Sequence, residues 1–275
     1  MMPGLERFPD SMEEQDMSVY FAEKSWPELS DYIDRNGLII LPVGTVEEHG
    51  HHLPLNTDIV IAEGISRHVA EAVAGTVPVL VMPGIWTGYS VRKMKKWPGV
   101  ISIRSEILIE LIFDVMASLA DMGFRKIMTI NAHGQNPESI KLAARRLYDA
   151  HGVSVAATNC WSMAADTMKR VRKSAIGGCL HGGEFETSLM LYFTDLVDMT
   201  KATNVDTLTY RSEFYPGDAF GSVSGGVFLS TWAVQESVTG IYGDPTEATE
   251  ETGRLLVEGI VETYVRLIRE YMSLP

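Results

Sequence analysis

Between Glu47 and Asp58 the chain carries Glu47, Glu48, His49, His51, His52 and Asp58, every one a side-chain type that can ligate a metal ion. Imidazole and carboxylate on one loop suit zinc, manganese or iron better than calcium or magnesium, which favour oxygen alone. A further histidine, His133, stands apart, and His181, Glu184 and Glu186 form a third group. Two adjacent divalent ions need about three protein ligands each, with one carboxylate shared and positions left open for water and substrate. Between them Glu47, His49, Asp58, His133, His181, Glu184 and Glu186 meet that demand, although no short zinc motif of the HExxH kind is present. Taken singly, each has a plainer role: Asp58 as a helix cap, His133 as a structural histidine. His51 and His52 read as solvent-facing or supporting residues, and His68 and His151 as helix-surface residues.

The elements that must position these groups follow from apolar spacing. Leu38 to Val43 is a continuous apolar run ended by Gly44, which predicts a buried strand with the first group just beyond its C-terminal end. Residues 22–36 and 57–74 have helical spacing, and Thr57 or Asp58 is placed to cap the second of them. Strands are expected over 77–82, 126–131 and 153–158, and helices over 105–122, 137–151 and 162–176. His133 then follows the third strand directly, and Gly177-Gly178 precedes the turn that carries His181. A long final helix is expected from 244 to about 271, and 200–243 reads as loops with short strands. Residues 84–102 lack a period and carry Trp86, Tyr89, Trp97 and the basic group Arg92, Lys93, Lys95 and Lys96, which reads as a loop able to meet an anionic group or a neighbouring chain. Helices alternating with short apolar strands predict an α/β fold, a three-layer α/β/α sandwich on a largely parallel sheet. All three groups then fall at the crevice such a sheet opens beyond its strand ends. A flexible lead-in over 1–18 and one domain over 19–275 are expected.

Composition narrows the function further. The 275 residues are 45% hydrophobic and 21% charged, ordinary for a globular enzyme. Lys and Arg number 23 against 36 Asp and Glu, a net charge of −13, which argues against nucleic acid as a partner. No apolar stretch reaches membrane-span length, so no membrane partner is expected. Cys160 and Cys179 form no CxxC pattern, as expected of a cytoplasmic protein.

The segment Gly44-Thr-Val-Glu47-Glu48-His49-Gly50, continuing through Leu53-Pro54 to Asp58, resembles the Gly-Ser-x-Glu-x-His-Gly-x-His-Leu-Pro signature of the creatininase (creatinine amidohydrolase) family. Asn131-Ala132-His133-Gly134-Gln135-Asn136 is similar to its Asn-Gly-His-x-x-Asn turn, and His181-Gly-Gly-Glu-Phe-Glu186-Thr-Ser to its His-x-Gly-x-x-Glu-Thr-Ser segment. Gly243-Asp244-Pro245 with Ala248-Thr249 fits its C-terminal pattern, so the resemblance spans roughly 20–270 in order.

That resemblance implies a hydrolase with two divalent metal ions (Zn, Mn or Fe) that cleaves a C–N bond of a small amide, lactam or formamide through a hydroxide bridging the ions. It places Glu47 and His133 on one ion, His49 and Glu186 on the other and Asp58 between them. His181 becomes the histidine near substrate, a general acid or an orienting group. It also implies a homo-oligomer, commonly a hexamer. Creatinine-hydrolysing members carry a glutamate where this chain has Gln135, and a tryptophan where it has Gly177, while Trp161 matches a second aromatic wall. Glu184 is the candidate to take over from the missing glutamate. Creatinine amidohydrolase proper is the alternative within this chemistry, and a non-catalytic metal-binding or assembly protein the alternative outside it.

Overall fold

The computed structural model describes residues 18–215, 217–220, 227, 228, 230 and 234–275; the expected lead-in lies, apart from Ser18, outside the described residues. The chain runs α1 (Trp26–Asp34), β1 (Leu38–Val43), α2 (Thr57–Val73), β2 (Val79–Val81), α3 (Ser105–Met122), β3 (Lys126–Asn131), α4 (Pro137–His151), β4 (Val155–Asn159), α5 (Cys160–Val171), α6 (Glu184–Phe193) and α7 (Glu250–Ser273). The four strands pair in parallel in the order β2-β1-β3-β4.

Why β1 reads as unbroken apolar sequence is plain from its burial. Leu38 and Ile40 face a core built with α2, α5, α6 and α7, while Ile39, Leu41 and Val43 face a second core built with α3 and α4. A strand buried on both faces has no polar side to alternate with. The expected three-layer α/β/α sandwich is therefore the observed one. Register aligns Val43 with Asn131, and Asn131 with Asn159, so β1, β3 and β4 end on one level.

Several boundaries differ from expectation. The helix expected over 162–176 starts at Cys160 and stops at Val171, and the chain then loops through 172–183. No strand occurs among the described residues of 200–243, where short strands were expected. Segments there are held by side chains instead: Asp206 accepts from the backbone N–H groups of Val238 and Thr239 at 2.9 and 2.7 Å. The 84–102 segment is tied down, with Ser90 and Met94 fully buried. Lys93 and Lys96 reach Glu236 at 3.2 and 3.3 Å, so two of the basic side chains are engaged within the chain.

Candidate metal centre

Beyond β1, Gly44 turns the chain against the start of α2. A Cβ on Gly44 would lie 2.7 Å from both the Cα and the N of Ile59, so only glycine lets loop and helix meet this closely. Neither Thr57 nor Asp58 caps α2. Asn56 is the N-cap residue, Thr57 Oγ1 donates to the Pro54 carbonyl at 2.7 Å, and the Asp58 carboxylate turns into the protein. Beyond β3, Asn131 Oδ1 accepts the His133 N–H at 3.2 Å and its Nδ2 donates to the His133 carbonyl at 2.8 Å, which fixes the turn carrying His133.

These elements bring five of the expected residues together. His49 Nε2 lies 3.0 Å from Asp58 Oδ1 and 3.7 Å from Glu186 Oε2. His133 Nδ1 lies 2.9 Å from Asp58 Oδ2 and 3.2 Å from Glu47 Oε1. Glu47, Asp58 and His133 form one compact group and His49, Asp58 and Glu186 a second, with Asp58 in both. Each histidine uses its outer nitrogen on a backbone carbonyl: His49 Nδ1 donates to Glu47 at 3.1 Å and His133 Nε2 to Tyr89 at 2.8 Å. A carbonyl only accepts, so the outer nitrogen carries the proton and the inner one faces the carboxylates. That is the tautomer arrangement of metal-ligating histidines.

The electrostatics agree. Burial alone would lower His49, yet the charges of Asp58 and Glu186 push it up to about 10. His133 is likewise raised well above the usual histidine range, because Glu47 and Asp58 outweigh its burial. Asp58 Oδ2 is buried and faces only the His133 imidazole, at 2.9 Å. Such a cluster is stable only with positive charge between its carboxylates and imidazoles, and a divalent cation can take the place of those protons. The nitrogen and oxygen donors fit zinc, manganese or iron.

A cavity of about 190 Å³ opens on the cluster and is lined by Glu47, Asp58, His133 and Glu186 together with His181, Trp161, Leu180, Phe185 and Ala219. His181 donates from Nε2 to the Glu48 carbonyl at 2.6 Å, which turns Nδ1 toward Glu47 Oε1 at 3.5 Å. With Glu47 and His49 it makes a third ligand-like group. Half-buried Trp161, which the resemblance implies as an aromatic wall, lines the cavity. Gln135 does not line it; its Oε1 accepts the Val91 N–H at 2.5 Å.

Glu184 is not brought to the cluster. Fully buried, it accepts the Lys173 and Ser174 N–H groups at 2.9 and 2.7 Å. Two residues of α-helix rotate a side chain by roughly 200°, so Glu184 and Glu186 in the first turn of α6 face nearly opposite ways. It cannot replace a glutamate at position 135. His52 is buried rather than solvent-facing, bonded to Thr187 Oγ1 at 3.0 Å, with burial and the nearby His49 charge lowering it to about 4.

A family model described as creatininase, creatinine amidohydrolase, matches residues 22–268. The chain belongs to the creatininase family. It is 29% identical over 270 residues to the creatinine amidohydrolase of Pseudomonas putida, an alignment covering 92% of this chain and 97% of that one. It is 31% identical over 242 residues to the mycofactocin precursor peptide peptidase of Mycobacterium ulcerans strain Agy99, covering 86% of each. A solved structure described as "Creatininase Mn" superposes with a TM-score of 0.78 at 27% identity, covering 94% of this chain and all of that one. Like these relatives, this creatininase-family chain is a hydrolase.

Two residues that the sequence reading passed over, Ser90 and Asp218, support the cluster, as does the backbone carbonyl of Glu48, which that reading named only for its side chain. Ser90 Oγ donates to Glu47 Oε2 at 2.8 Å, and the Glu48 carbonyl holds His181. Asp218, buried, ties down the loop before His181: its carboxylate accepts Arg172 Nη2 at 2.6 Å, the Gly177 N–H at 2.6 Å and the Cys179 N–H at 3.3 Å. Spacing offers no signal for any of them, because each contact spans tens of residues. Asp218→Ala would leave the Arg172 guanidinium without its carboxylate and the Gly177, Cys179 and Phe220 N–H groups without their acceptor. We expect a loss of about 3 kcal/mol, the scale for breaking a buried pair, read from the shift of the denaturant unfolding midpoint. A change below about 1 kcal/mol, the scale of exposed pairs, would show that the loop does not depend on it.

Proposed function

We propose that the chain is a dinuclear metal amidohydrolase cleaving a C–N bond of a small, uncharged amide, lactam or formamide. The observation carrying this reading is the pair of three-residue groups that share Asp58, each with a histidine held in the ligating tautomer. Glu47, Asp58 and His133 would hold one ion, and His49, Asp58 and Glu186 the other. Ions held there would supply an activated water near neutral pH and polarisation of the substrate carbonyl.

The chain's own groups do the remainder. Beside the cluster, His181 Nδ1 is in place to hold a proton and pass it to the leaving nitrogen, while the Glu48 carbonyl keeps the ring from turning. Trp161, Phe185, Leu180 and Ala219 give the cavity an apolar side that excludes water and packs a small flat group. No lysine or arginine lines it among the described residues, whereas its floor is carboxylate. An anionic substrate group would find no lysine or arginine there, and the basic residues of 92–96 do not line this cavity.

Self-assembly is part of the same proposal. Trp26, Phe228 and Val238 are 80%, 82% and 81% exposed, large apolar groups of the kind copies of a chain cover in a homo-oligomer, with a hexamer expected. We place the protein in the cytoplasm, since Cys160 and Cys179 are both free. No helix among the described residues is long and apolar enough to cross a membrane.

The test is hydrolysis of a panel of cyclic amides, formamides, short peptides and creatinine, before and after exhaustive chelation. We expect turnover of at least one uncharged small amide, lost on chelation and restored by Mn²⁺ or Zn²⁺. Turnover that survives chelation would contradict the metal mechanism. Turnover of creatinine would narrow the activity to creatinine amidohydrolase, and none on any substrate by metal-loaded protein would favour the non-catalytic alternative.

A further inference from the structure

We infer that Gln135 is a positioning residue for the Glu47 and His133 half of the site, acting through the strap Tyr89-Ser90-Val91. The inference rests on the two-ion reading above. All three residues of the strap are tied by hydrogen bonds. The Tyr89 N–H is accepted by Asn136 Oδ1 at 3.2 Å, the Ser90 N–H by Ser102 Oγ at 2.9 Å and the Val91 N–H by Gln135 Oε1 at 2.5 Å. In return the strap grips two candidate ligands: the Ser90 hydroxyl donates to Glu47 Oε2 at 2.8 Å, and the Tyr89 carbonyl accepts His133 Nε2–H at 2.8 Å. Ser90 is fully buried and Glu47 almost so, leaving the carboxylate little freedom to follow any other partner.

The two ends of the Gln135 amide are used unequally. Its oxygen anchors Val91, while Nε2 is buried with no hydrogen-bond partner among the described residues. The site therefore draws on the acceptor, which a glutamate would also supply and a methionine of similar length would not. The strap does not touch the other pair: Glu186 accepts the Gly182 N–H, and His49 donates to the backbone carbonyl of Glu47 rather than to its carboxylate. Releasing the strap should then disturb one ion and spare the other.

The experiment compares Gln135→Met and Gln135→Glu with the parent chain. Mn²⁺ and Zn²⁺ affinities are read by titration calorimetry, and hydrogen exchange is followed at the Val91 amide. Thermal unfolding of each variant separates a general loss of fold from a local effect. We expect Q135M to weaken one of two ions by about 10-fold or more, the usual effect of removing a group that supports a metal ligand. The other ion should stay within about twofold and Val91 exchange should quicken, while Q135E restores both readouts. Unchanged affinities in Q135M, or a Q135E as weak as Q135M, would overturn the proposal. A parent that binds no ion would bring down the metal reading and the positioning role together; quicker exchange in Q135M would then mark Gln135 as a structural anchor alone.

Discussion

On the proposed two-ion reading, Asp58→Ala should lose both ions, not one. Asp58 is the residue common to the two ligand groups, its Oδ1 facing His49 and its Oδ2 facing His133 at 3.0 and 2.9 Å. Removing it leaves each ion two protein ligands where about three are needed. Each catalytic effect of a metal ion is worth several kcal/mol, so turnover should fall by about 10³-fold or more. The fold should survive, because Asp58 does not cap α2 and its neighbour Thr57 keeps its bond to the Pro54 carbonyl. Elemental analysis and steady-state kinetics on the folded variant read both effects. Retention of one ion at full occupancy would show that Asp58 serves a single site.

His181→Gln should behave differently, and the difference separates its two possible roles. As a proton carrier at the leaving nitrogen its loss costs about 10²–10⁴ in kcat, with both ions retained. As a ligand, the part suggested by its grouping with Glu47 and His49, its loss would cost an ion as well. Its placement favours the first role, with Nε2 taken by the Glu48 carbonyl at 2.6 Å and Nδ1 facing Glu47 Oε1 at 3.5 Å on the cavity wall. Burial and the His49 charge push His181 down, but the hydrogen bond to Glu48 and the charges of Glu47 and Glu48 leave it raised above the ordinary histidine range. A raised pKa keeps the proton-donating form populated as pH rises through the normal histidine range and loses it only above the raised value. In the metal-free protein the His181 imidazole should therefore stay protonated further up the pH scale than an ordinary histidine, as read by NMR titration of its ring signals; an ordinary histidine titration would contradict this.

Much of this could be read in the sequence because it was written locally. The apolar runs of β1 and β3 mark strands buried on both faces, and the glycine just after β1 and the asparagine that closes β3 mark the turns that carry Glu47, His49 and His133. Asp58 was ambiguous, since a carboxylate in the first turn of a helix looks the same whether it caps or ligates. Side-chain direction decides, and sequence does not record it. Glu184 was misplaced for a related reason: adjacency to Glu186 in sequence means opposition on a helix. The support was illegible altogether. Ser90, the Glu48 carbonyl and Asp218 act across long separations through loops with no period, where neither apolar spacing nor capping rules apply.

The central claim is a pair of ions held around one shared carboxylate, and metal content per chain tests it most directly. Elemental analysis of the full-length protein, purified without chelator and reconstituted with Mn²⁺ or Zn²⁺, should give two ions per chain, with Asp58→Ala giving close to none. One ion per chain, or none after reconstitution, would contradict the account.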